Sequence, residues 1–353
     1  MPPLFTVFID AYHGPELLRR STESVLAQTY PNVELIIVDN GALAEVREEI
    51  KQIADANEDV RVIRFEENQF SWNDPHITID VCWNAALQNA NGEFIFHLSY
   101  DDFLSSDYVA RMVALFEENP ECTSAAGTMV SVDFEGTPMD TKENDGNNRP
   151  RYMPGHLMAL DIIEGGDMFA AAGDIFTFRR DDIIAVGGYH KAPDESQLFG
   201  LVPFGITGFD RQAKLCWCRH EGQLNRQLTE AGWTGFITYT EDLLRDWNIE
   251  ERWQKYGADT ARMVSRHLLN KEWRSAGKQA AANIAELNFS GSFRMSRAAG
   301  FNGIFWRTYF VQLWAKRRHF CSNILNRLGL RQLYLRVSGR QKTIPSSYGL
   351  GGK

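Results

Sequence analysis

Short apolar runs ending in polar residues recur along the first 125 or so positions, separated by stretches in which apolar residues return every third or fourth place. Leu4-Phe5-Thr6-Val7-Phe8-Ile9 stops at Asp10-Ala11-Tyr12-His13. Pro15 then suits a first helical turn, and Leu17, Leu18, Ser21, Ser24 and Val25 follow at helical spacing. A second run, Val33 to Val38, ends at Asp39-Asn40-Gly41, and a helical pattern over 43–56 leads to a third, Val60 to Phe65. A helix near 78–90 and the turn Asn91-Gly92 precede a fourth run at 93–98, which meets Ser99-Tyr100-Asp101-Asp102 before helical spacing resumes near Ser106-Asp107. Nearly continuous apolar strands alternating with helices predict an α/β fold whose mostly parallel sheet is covered on both faces. Ligands bind such sheets outside the carboxyl ends of the strands, where Asp10-Ala11-Tyr12, Asp39-Asn40 and Asp101-Asp102 all lie.

From about 134 to 156 the chain is rich in Gly, Asn, Pro and Asp, which predicts a mobile loop or insertion. A strand-like stretch resumes around 171–178, then a helical Asp181–Val186 and the turn Gly187-Gly188-Tyr189. A second loop is expected from Pro193 to Gly208, ending in Gly208-Phe209-Asp210, with helical patterns thereafter. Internal repeats and heptads are absent from the sequence.

Composition narrows the class. With 353 residues, 44% hydrophobic and 24% charged, the chain has room for one large or two modest folded domains and is not a disordered sequence. Five cysteines without metal-site spacing, Cys216 and Cys218 being the sole close pair, predict a reducing, cytoplasmic setting. The first residues lack a signal-peptide pattern and no apolar run of about 18 occurs, so neither a leader nor a transmembrane helix is expected.

The net charge of −9 conceals an asymmetry: residues 251–353 hold 19 basic and 4 acidic side chains, and 291–353 hold 12 basic and no acidic ones. We therefore expect an acidic α/β domain over 1–245, a helical segment over 246–290 and a basic amphipathic extension over 291–353. In that extension Ile304, Phe305, Trp306, Phe310, Leu313 and Trp314 stand among Arg307, Lys316, Arg317 and Arg318, with 306, 310, 313 and 314 assigned to one helical face. Aromatic and basic residues together suit an anionic membrane surface, here the inner face of the membrane; packing on the domain or a homodimer interface is the alternative. Nucleic acid is not expected, because an acidic body opposes it and no recognised module accompanies the charge.

The paired acids at Asp101-Asp102 suit a hard divalent cation that shares its shell with phosphates, although each acid here can equally cap a turn or helix. Phe8-Ile9-Asp10-Ala11-Tyr12, the stretch Ser24 to Asn40, Asn84 with Asn91-Gly92-Glu93, Ser99 to Leu104, Phe178-Arg179-Arg180, Gly187-Gly188-Tyr189 and Gly208-Phe209-Asp210 carry a family likeness. Over roughly 4–235 the chain resembles the inverting family-2 glycosyltransferases, which bind nucleotide sugars on a GT-A fold.

The resemblance implies Mn²⁺ or Mg²⁺ at Asp102 or Asp101, its neighbour reaching ribose or water, and a UDP- or GDP-sugar donor. It implies a donor site of Ala11, Tyr12, Asp39, Asn84 and Asp101. It further implies Asp210 as the general base with Glu195 in reserve, and Arg179, Arg180 and Glu195 on the side of a glycan or lipid-linked acceptor in cell-envelope polysaccharide synthesis. His220 is either a phosphate or metal contact or a polar surface residue. Ser99 and Asp10 stand where many members have Asp and Pro, and Phe209 stands where Glu is common. Ile249 replaces the Gln of the Gln-x-x-Arg-Trp motif of processive synthases, which favours single-sugar transfer. Two other readings are a sugar-phosphate nucleotidyltransferase, which lacks here its glycine-rich loop with a basic residue, and a non-catalytic membrane- or partner-binding protein on a degenerate transferase scaffold.

Overall fold

The apolar runs near the start of the chain become adjacent parallel strands. The computed structural model describes residues 2–139, 149–164, 175–220, 223 and 230–328. Strands β1 (Phe5–Ala11), β2 (Val33–Asn40), β3 (Val60–Phe65) and β4 (Phe94–His97) run parallel, with β1 between β2 and β4. Helix α1 (Pro15–Leu26) joins β1 to β2 and α2 (Ala44–Ala56) joins β2 to β3. A single π-turn, Ile79–Trp83, runs into α3 (Asn84–Asn89) before β4. Val7, Phe8, Ile9, Ile36, Ile37, Val38, Ile95 and Phe96 are fully buried on both faces of the sheet, which is why these runs read as continuous rather than alternating.

The second half of the sheet is mixed. It comprises β5 (Phe103–Leu104), β6 (Cys122–Val132), β7 (Tyr152–Pro154), β8 (Phe176–Arg179) and β9 (Ile206–Cys218), interspersed with α4 (Tyr108–Glu118), α5 (Gly155–Glu164) and α6 (Arg180–Ala185). Among the described residues the order is β3-β2-β1-β4-β8-β6-β9-β5, with β7 also pairing β9. Strand β8 is antiparallel to both β4 and β6, whereas β9 is parallel to β6.

Two expectations are corrected here. The segment from Pro193 is not a loop but consecutive helical turns, Pro193–Glu195, Ser196–Leu201 and Val202–Phe204. The segment after Gly208 is strand, not helix. Strand β9 loses register with β6 between Phe209 and Lys214, leaving Arg211 and Gln212 together in solvent and interrupting the alternation that marks a strand in sequence. Residues 140–148 of the expected loop, and 165–174, lie outside the described residues.

The chain divides into two units, Met1–Leu269 and Asn270–Lys353, and the division falls inside the helix Ala258–Ala285. In the second unit Asn288 and Asn302 cap the helices Phe289–Ala299 and Gly303–Arg327 by accepting from the Gly291 and Phe305 amides. Gly277 lets the long helix approach the last one, since a Cβ there would stand 2.8 Å from the Phe305 carbonyl oxygen. No described helix is long and apolar enough to cross a membrane.

Candidate active site

The acidic loop after β4 is fixed by α1. The Ser21 hydroxyl donates to the Ser99 carbonyl (3.2 Å), and the Leu104 amide donates to the Ser24 hydroxyl (3.1 Å). Gln28 donates to the Ser105 carbonyl (2.8 Å) and accepts from the Val109 amide (2.9 Å). The Ser24-to-Gln28 segment of the family pattern thus works as a clasp that holds the acids at the carboxyl end of the sheet.

The two acids then part company. Asp102 is 4% exposed, and its Oδ1 accepts from the Cys218 amide at 2.9 Å, tying the loop to the last residue of β9. Asp101 faces the other way, its Oδ2 lying 2.8 Å from Nε2 of His220, two residues beyond that strand. The tip of the Tyr100 side chain is 3.4 Å from Nε2 of His13, whose ring it meets edge-on at 4.9 Å. Burial lowers the His13 pKa, with Asp101 opposing that shift and His220 adding to it, so His13, Asp101 and His220 feel one another's charge. Tyr100 is kept protonated by burial and by Asp101.

Asp39 is fully buried at the end of β2, paired in register with Ala11 of β1. Its Oδ1 accepts from the Ala42 amide (2.8 Å) and its Oδ2 from Nε of Arg64 (2.8 Å), with Arg47 3.5 Å away. The turn requires Gly41, which has φ +56° and whose Cβ would stand 2.2 Å from the Asn68 amide nitrogen. Tyr12 is half-buried beside it, its carbonyl accepting from Leu43. Asp39 is therefore both a turn cap and the anchor of an arginine pair whose guanidiniums reach solvent.

A third group gathers where β1 and β4 end. Oδ1 of Asp10 lies 2.9 Å from Nε2 of His97 and accepts from the Trp83 indole at 3.1 Å, and the Trp83 and His97 rings stack at 3.7 Å. This accounts for the acid that replaces proline at that position. Its partners gave little signal in the sequence: His97 merely ends an apolar run, and Arg64 reads as a polar strand residue.

Other expected site residues have structural occupations. Asn84 donates to the Tyr189 carbonyl (3.1 Å) and accepts from the Tyr189 amide (2.8 Å), fastening α3 to the Gly187-Gly188 turn. Gly188 has φ +103°, and a Cβ there would meet Asn84 Oδ1 at 2.4 Å. Arg179 pairs in register with Phe94, the first residue of β4, and binds Glu93 at 2.5 Å; Arg180 donates to the Ala90 carbonyl. Because β8 is antiparallel to β4, both arginines sit at the amino end of the parallel strands, the edge opposite Asp101. The acceptor-side expectation for them rested on the family likeness of Phe178-Arg179-Arg180.

Asp210 is also displaced. Its partners are Arg151 (3.4 Å), Arg111 (3.5 Å) and the Gln212 amide (2.8 Å). Phe209 pairs with Ala126 and Cys218 with Val132. Six residues of β6, roughly 20 Å at about 3.3 Å each, therefore separate Asp210 from the strand end beside Asp101. Glu195 is better placed. It is buried on the helical turn that follows Tyr189, whose ring packs on Phe8 and Trp83 near the ends of β1 and β4. Trp253 supports that turn from below, donating to the Phe199 carbonyl at 2.8 Å.

Among the described residues no group of three His, Cys, Asp or Glu side chains converges on a cation. Asp101 and His220 supply one oxygen and one nitrogen donor, which fits a Mn²⁺ or Mg²⁺ ion that completes its shell with diphosphate and water. Asp102 is buried, with its Oδ1 engaged by the Cys218 amide.

The profile of glycosyl transferase family 2 matches residues 6–187, just over half of the chain. The putative teichuronic acid biosynthesis glycosyltransferase TuaG of Bacillus subtilis is 28% identical over 138 residues, 39% of this chain and 51% of that protein. An uncharacterized glycosyltransferase of Haemophilus influenzae is 27% identical over 134 residues, 38% of this chain and 50% of that one. The chain spans about half the length of these curated relatives. Residues 1–349 of S. aureus TarS superpose with a TM-score of 0.55 at 12% identity, covering 89% of this chain and 91% of that one. TarS 1–349 in complex with UDP-GlcNAc gives 0.54 at 13% identity, covering 89% and 92%. At such identity the likeness shows the fold alone, and that fold is the GT-A arrangement expected from the sequence. Profile match, fold and acidic strand end together place the chain in glycosyl transferase family 2.

Proposed function

We propose that the protein is a non-processive, inverting glycosyltransferase that moves one sugar from a UDP- or GDP-sugar to a hydroxyl of a glycan or lipid-linked acceptor. The observation that carries this reading is the Asp101–His220 pair, held at the carboxyl end of the sheet beside Ala11, Tyr12 and Asp39. Arg64, held at the strand end by the buried Asp39, offers donor groups to the edge of a nucleobase, and Ala11 and Tyr12 give it a wall. Asp101 and His220 hold the diphosphate end of the donor, where a bound divalent cation supplies Lewis-acid stabilisation of the leaving phosphate. Inversion needs a carboxylate on the opposite face of the sugar. Glu195 takes that role, accepting the proton of the acceptor hydroxyl as its oxygen bonds to the anomeric carbon and the nucleoside diphosphate departs. That TarS has been crystallised with UDP-GlcNAc supports a nucleotide-sugar donor for this fold.

Calorimetry with UDP and GDP, with and without Mn²⁺, tests the reading. We expect one nucleotide to bind with metal dependence, and Asp101→Ala to lose that dependence. No binding of either nucleotide, or binding indifferent to both metal and Asp101→Ala, overturns it.

A further inference from the structure

The solvent face of the last described helix has a composition that water alone does not explain. Along Gly303–Arg327, Phe305 is fully buried, whereas Phe310, Val311 and Trp314 are 60%, 59% and 70% exposed. Trp314 lies one turn beyond the adjacent Phe310 and Val311, and the exposed Arg307, Arg317 and Arg318 stand a turn away at either end. Trp306 and Leu313, assigned to the same face from sequence, are half-buried, and the Trp306 ring stacks on Phe310 with centres 5.8 Å apart. The preceding helix repeats the theme with Phe289 and Phe293, 55% and 68% exposed at i and i+4, beside the exposed Arg294 and Arg297. The Arg317 guanidinium lies over the Trp314 ring, 4.3 Å from its centre. Residues 287–328 contain seven Lys and Arg and no Asp or Glu.

Single exposed apolar residues are ordinary, but a run of large ones rimmed by cations of one sign marks a binding surface. Its charge selects the occupant. A second copy applied to the same face would bring arginines against arginines. An anionic bilayer instead offers phosphates to the cations and an acyl boundary to the aromatic rings. We propose that this face, Phe310, Val311 and Trp314 with Arg307, Arg317 and Arg318, docks the protein on anionic phospholipid with the helix lying in the plane of the interface. The inference stands apart from the assigned chemistry, since none of these residues belongs to the donor site.

Co-sedimentation of the full chain with phosphatidylcholine vesicles, with and without phosphatidylglycerol, tests it. Binding is expected with phosphatidylglycerol, declining as salt is raised. Arg317→Gln and Arg318→Gln should each weaken it on the order of fivefold. Phe310→Ser with Trp314→Ser should weaken it at least tenfold, with thermal unfolding unchanged to show that the variant folds. Three results overturn the proposal: absence of binding, equal binding to neutral vesicles, or wild-type vesicle binding by these variants. So does light scattering that shows a dimer which the Phe310/Trp314 variant dissolves.

Discussion

Nε2 of His220 stands 2.8 Å from Oδ2 of Asp101, and the neighbouring acid is what holds it there. Asp102 accepts from the Cys218 amide and so fixes the end of β9, which delivers His220 two residues later. In the proposed function Asp101 is the carboxylate that meets ligand, while Asp102 builds the geometry. The two stand on a tight turn, in which the Asp102 amide donates to the Ser99 carbonyl at 3.1 Å.

Removing the His220 imidazole should therefore resemble removing Asp101. His220→Ala is expected to weaken metal-dependent nucleotide binding at least tenfold while leaving thermal unfolding unchanged. Calorimetry that finds the affinity intact would return His220 to the role of a polar surface residue.

Asp102 should behave differently. Asp102→Asn keeps an oxygen for the Cys218 amide and should retain most nucleotide affinity. Asp102→Ala leaves that buried amide unpaired, a loss of about 2 kcal/mol in stability. Denaturant titration of the two variants decides it, and an equal loss of metal affinity in both would make Asp102 a direct ligand.

Glu195→Gln should retain donor binding and slow transfer by about 10²- to 10⁴-fold, the usual worth of a general base. Asp210→Asn should retain transfer and lose about 2 kcal/mol of stability, because Arg111 and Arg151 lose the charge they share. Full activity in the Glu195 variant, with transfer abolished in the Asp210 variant, would reverse the assignment.

Glu34, buried near the start of β2, accepts from the Thr6 hydroxyl, the Asn91 amide and side chain, and Arg61. Burial alone would raise its pKa, but the Asn91 amide, Thr6 and Arg61 outweigh it and the net shift is downward from the usual 4.5. A pKa lower in the folded than in the unfolded chain means stability that is present above the unfolded value and lost as pH falls through the folded one. Glu34→Gln should accordingly cost about 2 kcal/mol at neutral pH, the gap to the native protein closing as pH falls below the usual 4.5 and through the lowered folded value. Thermal melts across that range that stay parallel would refute the network.

The sheet from β1 to β4 was legible because parallel strands buried on both faces leave continuous apolar runs, and Pro15, Gly41 and Asn91-Gly92 punctuate them. The positions of Asp39 and Asp101 followed, since strand ends in such a sheet share one edge. The helical turn at 193–204 and the strand from Ile206 were not legible. The first opens on Pro193-Asp194-Glu195 but consists of turns too short to show a helical period, and the second is interrupted where Arg211 and Gln212 leave the ladder.

Sequence by itself carried the family likeness, through motifs such as Ser24 to Asn40 and Ser99 to Leu104. It also determined the parallel half of the sheet and the edge at which Asp39 and Asp101 lie, because these depend on local periodicity and on which residues end each run. Tertiary structure alone decided how those carboxylates are partnered. Strand direction sent Arg179, Arg180 and Asp210 away from Asp101, and the Cys218 amide turned Asp102 inward. The length of β9 brought in His220. Those outcomes depend on pairing between segments more than eighty residues apart, which no local pattern encodes.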